Sequence, residues 1–123
     1  MATKNDSGWL TVKAYEALGD ARLVKISVCR SGSTPPTVNY CDSGEVPDGV
    51  TEAVAAANDI IAVKQLNGGI GTYRVTTNGA IAGNTDVYPS DDGKVQSAAS
   101  GGARIGTIIE ASSADGGIVE MVR

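Results

Sequence analysis

Short β-prone segments separated by glycine-containing turn pairs dominate this sequence from about residue 24 onward. Asn-Gly and Asp-Gly pairs tolerate the positive φ angles that a two-residue hairpin turn requires at both of its central positions. Four such pairs punctuate the chain: Asn67-Gly68, Asn78-Gly79, Asp92-Gly93 and Asp115-Gly116. We therefore predict that these pairs close hairpins and that the chain folds mainly into β-strands.

The segments between the turns are rich in Val, Ile, Thr and Tyr, which favour the pleated surface of a sheet. The first half of the chain predicts strands at residues 9–16, 21–29 and 38–41, with loops at 31–37 and 42–49. The second half predicts six strands, at residues 60–66, 71–77, 86–88, 94–97, 104–110 and 117–122. Turn signals about every ten residues are typical of a barrel or a sandwich.

One segment, residues 51–58, fits two structures. Thr51 could cap a short helix through the Ala-rich run that follows, or the same run could be an extended strand. The fold class predicted is therefore all-β: a small barrel-like domain with glycine-turn hairpins and at most one short helix. Its expected organisation is a flexible N-terminal arm at residues 1–12 and a single β-rich domain at 13–123, of which 31–49 is rich in loops.

The composition limits how this fold is stabilised. A chain of 123 residues is one domain by length. It has one Trp, four Tyr and no Phe, so its core must come mostly from aliphatic side chains. Aromatic residues usually supply the largest single burials, and a core with few of them predicts that the chain gains stability from partner subunits.

Charge and residue types exclude several functions. There is no His, which excludes Ser-His-Asp and Cys-His catalysis, and we expect no enzyme activity, cofactor or metal site. The net charge is −4 and the cations are scattered, so we expect no nucleic-acid or membrane partner. The first residues lack the apolar centre of a signal peptide, which predicts assembly in a cytoplasm. There Cys29 and Cys41 are expected to be free thiols.

The order of segments in the last two-thirds of the chain has a recognisable pattern. Residues 71–79 read GTYRVTTNG, 82–88 AGNTDVY, 92–95 DGKV, 103–110 ARIGTIIE and 116–122 GGIVEMV. This succession of strand, glycine turn, polar entry strand, Asp-Gly turn and apolar last strand resembles the head-decoration (cement) proteins of tailed bacteriophages.

The resemblance implies a β-tulip-like domain on the outer capsid surface of the virion, assembled in the host cytoplasm. Such proteins are typically homotrimers that bind the expanded head and stabilise it by bridging neighbouring subunits of the major capsid protein. Their usual capsid contact is an N-terminal arm. In this sequence the resemblance assigns that role to six residues: Ala2, Thr3, Lys4, Trp9, Leu10 and Val12.

A second function remains open at this point. The exposed loop at residues 31–37 and the neighbouring Tyr40 could form the binding surface of an adhesin or of a carbohydrate-binding module on a virion or cell surface.

Overall fold

The structure, a computed structural model, describes residues 8–67 and 71–123. Ten strands lie in this part of the chain. In chain order they are β1 Trp9–Ala14, β2 Leu23–Val28, β3 Thr37–Tyr40, β4 Gly49–Thr51, β5 Ile60–Gln65, β6 Tyr73–Thr76, β7 Thr85–Pro89, β8 Val95–Gln96, β9 Gly106–Ile108 and β10 Ile118–Val122. A single 3-10 turn, Asp91–Gly93, is the only helical element described, so the all-β prediction is confirmed.

The first five strands form a closed barrel in the order β1-β3-β2-β4-β5. The barrel closes where β1 runs antiparallel to β5, from the pair Trp9↔Lys64 to the pair Lys13↔Ile60. Alternation along these strands points every second side chain inward. The inward side chains form an aliphatic core of Val12, Ala14, Leu18, Val24, Val38, Ala55 and Val63.

The last five strands form a second sheet in the order β6-β10-β9-β7-β8. The sheet curls, so that Thr77, just after β6, forms a parallel bridge with Val95 of β8. The backbone N–H of Asn78 donates to the Val95 carbonyl at 2.8 Å and extends this contact. The bridge and the shortness of β8 leave little exposed strand edge, which is a common protection against edge-to-edge aggregation.

The second sheet packs against the outside of the barrel wall. Leu23 and Val24 are adjacent in β2 and both are completely buried. Val24 faces the barrel interior, whereas Leu23 belongs to a second core with the sheet residues Val75, Ile108 and Met121. The start of strand β2 is therefore buried on both faces, and the two sheets share it as a common wall, whereas the end of the strand, from Ile26 to Val28, is exposed.

The strands predicted for the second half of the chain are confirmed, but the helix considered at residues 51–58 is wrong. Thr51 ends β4, and its hydroxyl donates to the Gly19 carbonyl at 2.7 Å and accepts the Arg22 N–H at 2.9 Å. Further along, Ala55 exchanges two backbone hydrogen bonds of 2.9 Å with Leu18. These long-range bonds hold the Ala-rich run against the barrel, and they outweigh its helical propensity.

Three of the four predicted turn pairs lie in the described residues, and none of these three closes a two-residue hairpin. Asp92 and Gly93 both have positive φ, 59° and 72°, within a longer connection between β7 and β8. Gly79 also has positive φ, yet it lies between β6 and β7, which are not neighbours in the sheet. Gly116 lies in the long connection between β9 and β10. Gly68 lies outside the described residues.

The boundary predicted for the N-terminal arm needs correction. Residues 9–12 belong to β1, a paired strand of the barrel. Leu10 and Val12 alternate with exposed residues, so that one face of the strand packs on the core. The Gly8 carbonyl already accepts the Gln65 N–H at 2.9 Å. An arm can therefore comprise only residues that precede Gly8, and these lie outside the described residues.

The barrel and the sheet approach each other closely at Gly93, which predicts different tolerance to alanine at two glycines. At both Gly79 and Gly93 the φ angle is positive, so alanine costs about 1–2 kcal/mol from backbone strain alone. A Cβ at Gly93 would lie 2.6 Å from the Leu23 carbonyl oxygen and 2.8 Å from the Tyr40 ring, whereas one at Gly79 would have no neighbour within 4 Å. We expect Gly93→Ala to lower the free energy of unfolding by a further ~1–3 kcal/mol, as overpacking does. Urea denaturation of the two variants measures this difference, and equal losses would contradict the close packing.

The two cysteines are free, as predicted, and they differ in accessibility. Cys29 is exposed, whereas Cys41 is completely buried, and this burial raises the pKa of its thiol to about 12. At pH 8 only about one in ten thousand Cys41 groups would then be a reactive thiolate.

We expect an aromatic disulfide reagent to titrate one thiol in the native protein and the second only in denaturant. The Cys29→Ser variant should show no fast reaction, and two fast equivalents in the unaltered protein would contradict the burial.

Candidate interaction surfaces

The first candidate surface is the outer face of the barrel where β1 meets β5. Alternation places one set of side chains from the two strands outward in facing pairs: Trp9 with Lys64, Thr11 with Ala62, and Lys13 with Ile60. These six residues are called the β1–β5 face. Trp9 is 42% exposed and Ile60 57% exposed, and Tyr15 just beyond β1 is 65% exposed. Trp9 lies at one end of this face and Ile60 and Tyr15 at the other, with the smaller side chains of Thr11 and Ala62 between them.

The β1–β5 face is basic. Neither β1 nor β5 contains Asp or Glu. Lys64 donates to the Thr72 carbonyl at 2.6 Å and lies 4.5 Å from the centre of the Tyr73 ring. Among the described residues, neither Lys13 nor Lys64 forms an ion pair with a carboxylate. In a chain with a net charge of −4, this face therefore carries two positive charges that no carboxylate of the described residues pairs with.

The second candidate surface is a polar recess on the outside of β2 and β3, with a volume of about 420 Å³. Four carboxylates line it, from Glu16, Asp42, Glu45 and Asp92, together with the ammonium group of Lys25. This set is called the acidic recess. Four negative charges against one positive charge give it the opposite sign to the β1–β5 face.

Hydrogen bonds within the recess favour the charged forms of Glu45 and Lys25. Lys25 donates to the Glu45 carboxylate, which also accepts the Asp42 N–H at 2.9 Å. These bonds, first that from Lys25 and then that from the Asp42 backbone, lower the pKa of Glu45, and the bond to Glu45 raises the pKa of Lys25. The Asp42 carboxylate accepts the Asp92 N–H at 3.1 Å and ties the recess to the turn after β7. The recess is thus anionic at neutral pH.

Tyr40 borders the recess but is engaged in packing. Its hydroxyl accepts the Gly19 N–H at 2.8 Å, and the Arg22 guanidinium lies 5.5 Å from the ring centre. The ring also packs against the barrel core. These contacts explain a structural role for Tyr40, and they cover part of the aromatic surface that a sugar ring would stack on.

The structure separates the six residues predicted for capsid binding. Trp9 lies on the β1–β5 face, whereas Val12 is completely buried and Leu10 packs against the barrel core. Ala2, Thr3 and Lys4 lie outside the described residues. In the folded chain Val12 is therefore inaccessible to a partner. Of the three residues in this set that the structure describes, Trp9 is the exposed one.

Sequence reasoning missed the acidic recess. Its carboxylates come from three separate segments, after β1, between β3 and β4, and in the turn after β7. The available local signal is the concentration of Asp42, Glu45 and Asp48 within the loop at 42–49. The Asp48 carboxylate accepts the Ile26 N–H at 2.8 Å, which adds another negative charge next to β2.

Neither a membrane helix nor a metal cluster is found within residues 8–67 and 71–123. No helix there is long and apolar enough to cross a membrane. No group of three or more Cys, Asp or Glu side chains in this part of the chain is placed to hold a metal ion.

Comparison with known proteins identifies a structural neighbour. No protein-family model and no curated protein matches the chain. Among solved structures, the chain is similar to the N base of head fiber gp8.5 of bacteriophage phi29, with a TM-score of 0.75 and 18% sequence identity. The alignment covers 93% of this chain and 91% of that chain. At this level of identity the similarity establishes a shared fold along almost the whole length of both chains.

Proposed function

We propose that this chain is a structural protein of a tailed-phage head. The observation that carries the proposal is the structural similarity to the base of a phage head fiber over 93% of the chain. The segment pattern resembling head-decoration proteins supports the same assignment from the sequence. A shared fold does not by itself specify a function, so the mechanism must be argued from the interaction surfaces of this chain.

In this proposal the protein binds the outside of the expanded head as an oligomer and bridges neighbouring subunits of the major capsid protein. A ligand that binds the expanded lattice and not its precursor stabilises the expanded form by linkage. The role requires no catalytic group, and we propose that the chain is not an enzyme. The absence of His supports this part of the proposal.

The capsid contact in this proposal includes the residues that precede the barrel, among them Ala2, Thr3 and Lys4. An extended segment can add a strand to the edge of another sheet through backbone hydrogen bonds. Each such contact is weakened by the entropy of ordering the segment. Several copies attached to one oligomer bind together, and their effective concentration converts weak contacts into firm attachment.

A truncation that ends before the barrel tests this attachment. Deleting residues 2–7 keeps Gly8, whose carbonyl bonds to Gln65, and keeps all of β1. A deletion of residues 1–12 would instead remove most of β1 and confound binding with folding. We expect the shorter deletion to leave the thermal unfolding midpoint unchanged and to weaken binding to expanded heads at least about tenfold, as lost multivalent contacts do.

The measurement is co-sedimentation with purified expanded heads, quantified by occupancy in electron micrographs. Unexpanded heads are the matched control, since the full chain should bind them much less. If the folded, truncated chain occupied expanded heads as fully as the unaltered chain, the attachment through residues 2–7 would be refuted. If the full chain bound neither form of head, the proposed function itself would be wrong.

The alternative function, an adhesin or carbohydrate-binding module, receives less support from the surfaces. Its predicted aromatic contact, Tyr40, is held by Gly19 and Arg22 as part of the barrel packing. Substituting Tyr40 by Ala would therefore disturb the fold as well as any sugar site. Asn39, a half-buried residue that lines the acidic recess, is the cleaner position at which to test glycan binding.

A further inference from the structure

We propose that copies of this chain associate head-to-tail, with the β1–β5 face of one copy docked against the acidic recess of the next. This proposal rests on the proposed function only for the existence of an oligomer, and it identifies the surfaces through which the copies of that oligomer touch. It is drawn from the placement, charge and exposure of residues that the structure describes.

The topology of the barrel requires that such a contact join two molecules. In the closed order β1-β3-β2-β4-β5, strands β1 and β5 are neighbours, β2 lies two strands away from each of them, and β3 lies between β1 and β2. The β1–β5 face and the recess on the outside of β2 and β3 therefore point in different directions. A surface that contacts a different surface of an identical subunit forms a heterologous interface, which generates closed rings or filaments.

The charges of the two surfaces are complementary. The β1–β5 face carries Lys13 and Lys64 and no carboxylate, whereas the recess carries four carboxylates and one ammonium group. Two β1–β5 faces brought together would place uncompensated ammonium groups near each other, and two recesses would do the same with carboxylates. Complementary potentials fix which surfaces meet and suppress the wrong pairings. The head-to-tail arrangement is thus the pairing that the charges favour.

Both surfaces also carry apolar side chains that the rest of the protein leaves partly exposed to water. On the β1–β5 face these are Trp9 and Ile60, with Tyr15 at its end. Beside the recess, Val46 follows Glu45 and is 72% exposed. Tyr and Trp are frequent anchors of protein interfaces because a large rigid ring is buried at low entropic cost. Charge selects the pairing in this arrangement, and the apolar contacts add affinity.

Charge reversals on each surface test the proposal. Lys13 has no ion pair among the described residues, and the Glu16 side chain makes only a long contact of 3.4 Å with the Tyr40 N–H, so neither reversal removes a strong intramolecular bond. We expect Lys13→Glu and Glu16→Lys each to weaken self-association at least about tenfold, the size of effect expected at charged interfaces. An equimolar mixture of the two variants should regain association, because each supplies the unaltered surface that the other lacks.

Mass in solution is measured by size-exclusion chromatography with light scattering at low and high salt. The unaltered chain should be oligomeric and should dissociate as salt screens the contact. Arg30→Glu makes the same charge change at an exposed residue outside both surfaces and should leave association unchanged. Thermal unfolding of every variant verifies that each is folded.

Each outcome either supports or overturns the proposal. A monomeric unaltered chain, single reversals without effect, a mixture that fails to regain association, or equal disruption by Arg30→Glu would overturn it. Head binding is measured separately, so the two proposals fail independently. A monomer that still binds expanded heads would refute only the head-to-tail contact, and an oligomer that binds no heads would refute only the proposed function.

Discussion

The burial of the start of β2 on both faces is the constraint on which the rest of the structure depends. Leu23 and Val24 are consecutive and fully buried, one in the core between the sheets and the other in the barrel. Fully burying a side chain of this size stabilises the fold by about 1.5–3 kcal/mol, so β2 contributes to both cores at once. The barrel and the second sheet cannot separate without exposing Leu23. The shared wall therefore fixes the outer surfaces of both sheets relative to each other.

Local sequence signals predicted the elements but not their partners. The alternation of β-prone residues located the six strands of the second half, because period-two burial is a local property. The turn pairs also predicted positive φ correctly at Asp92 and Gly93. They did not predict which strands pair, since Gly79 turns the chain between strands that are not neighbours. Strand order depends on which apolar faces meet across the molecule, and a dipeptide carries no information about that.

The same reasoning explains the misplaced boundary of the arm and the missed recess. Trp9 to Ala14 has the alternation of a strand, but its partner β5 lies far along the chain, so the sequence could not distinguish a barrel strand from an extended arm. The recess depends even more on tertiary structure, because Glu16, Asp42 and Asp92 meet only after the barrel and the sheet have packed. In the sequence these carboxylates are scattered and resemble ordinary solvated charges.

The closure of the sheets determines how such a protein can bind its neighbours. A barrel has no free edge strand, and the curled sheet protects its edge through the bridge between Thr77 and Val95. Strand addition to the folded body is therefore a poor route to assembly, although the residues before Gly8 could still add to the sheet of another protein. Contacts of the body must use side chains on the outer faces of its strands. The β1–β5 face and the acidic recess are two such outer surfaces, and they differ in the sign of their charge.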